Sequence, residues 1–138
     1  MKLKKIISKL SLEEKVSLLS GFDNWYTPDI KKYGIPKIKM SDGPNGVRGD
    51  SSTPQTSACF PSPILLGATW NEKLIKKIGS ATGEEALYKD VDVLLAPTIN
   101  LHRHPLGGRH FECYSEDPVL TSKIACSYVS GVQSEGVA

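Results

Sequence analysis

Apolar positions recur at helical spacing in three stretches of the chain and gather into short runs in three others. Leu12, Val16 and Leu19 fall on one face of a first helix, which Ser11 caps, Glu14 locks with a capping box and Gly21 stops. A second helix opens with a box between Thr69 and Glu72 and runs to about Lys89, turning Leu74, Ile78 and Ala81 inward. The third starts at Asp117, with Pro118 in the first helical position, repeats Leu120, Ile124, Tyr128 and Gly131, and ends at Gly136. The runs Ile38 to Met40, Ile64 to Leu66 and Val91 to Ala96 read as strands. The last is the strongest, β-branched and closed by Pro97. Strands alternating with long amphipathic helices predict a parallel α/β architecture.

The polar segments between these elements carry the candidate chemistry. After a loop from Phe22 to Pro36, the first strand enters Ser41-Asp42-Gly43-Pro44-Asn45-Gly46, a dense cluster of turn formers. The polar stretch Gly49 to Ser57 reads as a long functional or mobile loop. After the strongest strand, Asn100 to Glu116 includes two glycines, two arginines and acidic groups, and Asp117-Pro118 follows directly as a helix start. In parallel α/β folds the loops after strand C-termini collect on one face, where active sites lie. Asp42, Arg48 and Arg109 would project from two such loops. A carboxylate that accepts hydroxyl bonds, beside guanidinium forks that donate, suits a polyhydroxylated ligand. The competing reading of the Arg109 loop is a surface turn with a solvated arginine.

Bulk composition narrows the class. At 138 residues, 39% hydrophobic and 23% charged, the chain can build one ordinary domain core and has neither a disordered nor a membrane-spanning profile. A net charge of +2 from dispersed lysines gives no basis for nucleic-acid binding. The basic start resembles that of a signal peptide, but Ser8 and Lys9 interrupt the apolar run after Ile6-Ile7, and no membrane partner is expected. Cys59, Cys113 and Cys126 form no CxxC and cannot all pair, which fits a reduced, cytoplasmic setting.

Single residues allow sharper readings, most of which lose to structural ones. Cys113 as a nucleophile lacks an identifiable base, and free cysteine usually packs as a small hydrophobe. His102, His104 and His110 do not complete a zinc motif, so no metal is expected. Glu116 and Asp117 are adjacent at a helix start and point apart, and capping accounts for Asp117. Asp92 reads as a partnered or edge residue, and Gly107-Gly108 completes no phosphate motif. No cofactor is implied.

Five blocks in one order then carry a resemblance: Ser41-Asp42-Gly43-Pro44-Asn45-Gly46-Val47-Arg48, Phe60-Pro61, Ala68-Thr69-Trp70-Asn71, Leu95-Ala96-Pro97-Thr98-Ile99-Asn100, and Pro105-Leu106-Gly107-Gly108-Arg109-His110-Phe111-Glu112. Together they resemble the N-terminal part of glycoside hydrolase family 3, the β-glucosidase group, over nearly the whole chain. The resemblance implies retaining hydrolysis of terminal β-linked sugars and a first domain that is a (β/α)₈ TIM-type barrel. It assigns Asp42 to the hydroxyls of the non-reducing sugar, Arg48 and Arg109 to the sugar pocket, and Glu112 to bracing the arginines. A β-linked glucoside or oligosaccharide is the implied substrate.

A retaining mechanism needs a carboxylate nucleophile and a separate acid/base about 5 Å apart. The resemblance places both beyond Ala138, together with a lysine–histidine pair that helps hold the sugar. A whole barrel takes about 250 residues, so residues 1–138 are expected to be an N-terminal part, truncated before the barrel closes and inactive by itself. The alternatives are a split component that binds carbohydrate or a separate chain carrying the missing C-terminal portion, and a truncated product without function.

Overall fold

A computed structural model describes residues 2–49 and 55–138, so the middle of the predicted Gly49–Ser57 loop lies outside the described residues. The chain divides into two compact units, Met1–Met40 and Ser41–Ala138.

The first unit opens with helix α1 (Lys2–Ile7), an element the sequence pattern did not predict. Its lysines and Leu3 are good helix formers, and a six-residue segment is too short to show a period. Helix α2 (Leu12–Ser20) has the predicted capping box: Glu14 N–H donates to Ser11 Oγ at 3.2 Å, and Ser11 N–H donates to the Glu14 carboxylate at 2.9 Å. Gly21, at φ 76°, closes the helix. The face formed by Leu12, Val16 and Leu19 is exposed.

The second unit is α/β with a small parallel sheet. Strand β1 (Met40–Asp42) starts two residues later than the predicted strand. The cause is local competition: Thr27 N–H donates to the Ile38 carbonyl and Met40 N–H to the Trp25 carbonyl, which draws Ile38 and Lys39 into antiparallel contact with the preceding loop. Asp42 therefore ends the strand instead of starting the turn. Strand β2 (Val93–Leu95) pairs with β1 and is the centre of the predicted Val91–Ala96 run. Ala138 N–H donates to the Asp92 carbonyl at 3.0 Å and Leu94 N–H to the Ala138 carbonyl at 2.7 Å, the exchange of a parallel ladder.

Ile64 to Leu66 is not a strand but the body of helix α3 (Pro63–Ala68). Pro63 stands at its first position, which favours the helix, and a three-residue apolar run cannot distinguish the two by period. Thr69 closes α3, its hydroxyl donating to the Leu66 carbonyl, so it does not cap helix α4 (Glu72–Tyr88). Asn71 does, its side-chain oxygen accepting from Leu74 N–H at 3.1 Å. The buried face of α4 is Ile75, Gly79, Thr82, Gly83 and Ala86, with Ile78 beside it. Leu74 and Ala81 turn outward instead.

Helix α5 (Pro118–Ser134) follows its prediction: Asp117 caps it by accepting from Val119 and Leu120 N–H, and Ile124, Tyr128 and Gly131 are buried. It packs on α4 at backbone distance. A Cβ on Gly79 would strike the Tyr128 carbonyl, and one on Gly131 the Lys76 carbonyl. The core joins both helices to the sheet through Ile75, Leu94, Ile124 and Val137. Burial raises the pKa of the Tyr128 hydroxyl, against an opposing effect of the neighbouring Thr82, and nothing among the described residues reaches that hydroxyl in hydrogen-bond geometry.

Candidate functional site

The first candidate loop follows β1. Gly43 N–H donates to the Asp42 carboxylate at 3.1 Å, and Arg48 N–H donates to the Asp42 carbonyl at 2.9 Å, so the two ends of the turn are tied together. Gly46 lies between them at φ 137°, where a side chain would be strained and would also strike the Ala58 carbonyl. Phe60 N–H donates to the Asn45 carbonyl and holds the returning chain against the turn. Asp42 is half-buried, whereas the Arg48 guanidinium is exposed and has no hydrogen bond or ion pair among the described residues.

The second loop follows β2. Arg109 donates Nε–H to Glu112 Oε1 at 2.9 Å and Nη2–H to Oε2 at 2.6 Å, a bidentate pair. Thr98 Oγ1 donates to Glu112 Oε2 at 3.4 Å. Hydrogen bonding to Arg109 holds the Glu112 carboxyl below its ordinary range, against an opposing effect of burial. The same bonds hold Arg109 above its ordinary range, and the Asp42 charge adds a smaller share. Because β1 and β2 are paired neighbours, the loop that follows Asp42 and the loop that carries Arg109 leave adjacent strands. Glu112 braces Arg109 alone, which corrects the expectation that it braces both arginines. Arg48 belongs to the other loop, with no bond to that carboxylate.

The histidines shape the second loop. The His102 and His110 rings stack with centroids 5.1 Å apart, His102 Nε2 meets the Cys113 carbonyl at 2.9 Å, and His104 Nδ1 accepts from Leu106 N–H. The His110 ring covers Gly107. Cys113 is buried, and its thiol contacts the Arg109 carbonyl. Among the described residues, no three His, Cys, Asp or Glu side chains gather as a metal site would need, and no helix is long and apolar enough to cross a membrane. Glu116 is exposed and Asp117 is occupied in capping. Asp92 lies just ahead of β2, with its carbonyl in the ladder to Ala138. A shallow cleft between α4 and α5, lined by Lys76, Ser122 and Cys126 among others, includes none of Asp42, Arg48 or Arg109.

Sequence reasoning missed Glu85, Lys89 and Thr98. A lysine at the end of a helix reads as a partner for the helix dipole, and nothing local marks Lys89 as fully buried.

Residues 5–138 match the Glycosyl hydrolase family 3 N terminal domain. The β-glucosidase of Rhizobium radiobacter is 57% identical over 135 residues, covering 96% of this chain and 16% of that protein. The thermostable β-glucosidase B of Acetivibrio thermocellus is 44% identical over 143 residues, covering 98% of this chain and 19% of its own length. The chain thus spans less than a fifth of these relatives. Two solved structures follow the same backbone course. β-Glucosidase 3B from Thermotoga neapolitana in complex with α-D-glucose matches at a TM-score of 0.88 and 41% identity, over 99% of this chain and 22% of that one. The β-glucosidase from Kluyveromyces marxianus in complex with glucose matches at 0.91 and 42%, over 99% and 16%. With the domain match reaching from residue 5 to residue 138, the chain belongs to glycoside hydrolase family 3.

Proposed function

We propose that residues 1–138 supply part of the sugar-binding subsite of an enzyme that hydrolyses terminal β-glucosidic bonds with retention. The observation that carries this reading is the placing of Asp42, at the end of β1, and of Arg109, fixed by Glu112 in the loop after β2, beyond two paired neighbouring strands. Asp42 accepts sugar hydroxyls, while Arg109, with one edge fixed by Glu112, donates from its other N–H groups. Arg48 closes the subsite from the first loop. Hydrogen bonds that strengthen as the oxocarbenium-like transition state forms lower the barrier. Glucose bound to the two structural neighbours supports the ligand class.

In this reading β1, β2 and the ladder started by Ala138 are consecutive staves of a (β/α)₈ barrel, supported by their parallel pairing and the helices between them. The nucleophile and acid/base come from outside residues 1–138, on the same polypeptide or on a complementary chain. A reducing, cytoplasmic setting remains part of the proposal, and its support is three free thiols.

The test fuses residues 1–138 to the remainder of the R. radiobacter relative in place of its matching segment. The fusion should release nitrophenol from an aryl β-glucoside, and residues 1–138 alone should not. An inactive but folded fusion, or turnover by residues 1–138 that depends on Asp42, would contradict the reading.

A further inference from the structure

We propose that Glu85 and Lys89 are positioning residues that set the backbone beneath Arg48. This rests on the reading of Arg48 as a sugar ligand. The Lys89 side chain is 0% exposed, and its ammonium donates to the Val47 carbonyl at 2.7 Å, to Ser57 Oγ and to Glu85 Oε1 at 3.0 Å. Ser57 Oγ in turn donates to the same Val47 carbonyl at 2.7 Å. The Glu85 carboxylate accepts from Ala58 N–H at 2.9 Å and from Val47 N–H at 3.4 Å. One ion pair at the C-terminal end of α4 thus holds both the outgoing arm of the loop, at Val47, and the returning arm, at Ser57 and Ala58.

Burying an ammonium and a carboxylate costs more than an apolar pair would, so the pair is poor evidence of a stability device. What it supplies is a fixed geometry: both backbone polar groups of Val47 are claimed, and Val47 immediately precedes Arg48. Gly49 closes the far side, its N–H donating to the buried Ser41 Oγ at 3.1 Å. Arg48 therefore sits between two anchored residues, with its guanidinium free to meet a ligand. Restricting that backbone before binding reduces the ordering that binding must impose.

The test is a double-mutant cycle in the fused enzyme, with kcat and KM for an aryl β-glucoside as readouts. Lys89→Met and the milder Ser57→Ala are each made alone and with Arg48→Ala. Lys89→Met should lower kcat/KM at least ~10-fold and Ser57→Ala a few-fold, and both losses should shrink to about 2-fold or less when Arg48 is already alanine. Losses of equal size in both backgrounds would mean a general structural role and would overturn the inference. So would unaltered kinetics in Lys89→Met and Ser57→Ala while Arg48→Ala is impaired. If Arg48→Ala itself has normal kinetics, its sugar role fails first, and this inference fails with it. Should Lys89→Met not fold, the Ser57→Ala cycle decides alone.

Discussion

Arg109 engages Glu112 edge to edge, with two N–H donors on two carboxylate oxygens, although the two stand only three positions apart in sequence. The side chains differ in setting: Glu112 is 14% exposed and Arg109 74%. The carboxylate is thus the fixed member and the guanidinium the presented one. One edge of the fork is spent on the brace, and the remaining donors face outward.

That asymmetry has a pH signature. The folded Glu112 carboxyl titrates below its ordinary value, because Arg109 favours the ionised form. A depressed folded value contributes stability that is complete above the ordinary carboxylate range and is lost as pH falls through the folded value. Carboxyl-carbon NMR should therefore find Glu112 still ionised below the ordinary glutamate range, with Arg109→Ala moving its midpoint upward. A midpoint that ignores Arg109→Ala would contradict the brace.

Kinetics in the fused enzyme separate ligand-facing groups from loop-shaping ones. Asp42→Ala and Arg109→Ala should each lower kcat/KM by ~100-fold or more, as expected when a charged hydrogen bond strengthens in the transition state. His104→Ala and Cys113→Ser should do far less, since these side chains bond within their own loop. Near-normal turnover by a folded Asp42→Ala enzyme would return that residue to a turn-forming role.

Helix caps give a local test of the corrected boundaries. Asn71→Ala and Asp117→Ala should each cost about 1 kcal/mol in denaturant unfolding. Thr69→Ala should leave the amide protection of Leu74 intact, because Asn71 and not Thr69 accepts from that N–H. Loss of Glu72 amide protection in Thr69→Ala, with Leu74 protection unchanged in Asn71→Ala, would restore the predicted Thr69–Glu72 box.

Close approach of α4 and α5 predicts a steep response to one added carbon. Gly79→Ala and Gly131→Ala should destabilise the protein by about 1–3 kcal/mol through overpacking. Gly108→Ala meets nothing within 4 Å and should be close to neutral. Equal midpoints for all three variants would show that the helices are not in backbone contact.

The parts legible from sequence were those governed by local chemistry. Ser11 with Glu14, Asp117 with Pro118, and the Val91 run each carry their own instruction in a few residues. The parts that failed depend on a competitor elsewhere in the chain. Ile38 is withheld from β1 by Thr27, and Thr69 is drawn back onto Leu66. The inward face of α4 is out of phase with the apolar pattern because three of its buried positions, Gly79, Thr82 and Gly83, are glycine or threonine, which that pattern does not register. For the site, Asp42, Arg48 and Arg109 were marked by motif, but the pairing of Glu112 with only one arginine required three dimensions. The burial of Lys89 has no sequence signal, since a lysine at a helix end looks the same in solvent.

Gly79 and Gly131 leave the crossing of α4 and α5 without a flexible spacer. Where helices meet through leucines or methionines, rotamers can adjust their separation by fractions of an ångström, and temperature or mutation can exploit that slack. Here the separation is set by carbonyl oxygens and Cα atoms, with few side-chain torsions to relax. α4 delivers the chain into β2, and α5 receives it after the Arg109 loop. The loop's two attachments are therefore carried on helices with a single mutual distance. Sequence change inside the loop can then retune what it holds without resetting the frame, while change at either glycine moves every group the frame carries.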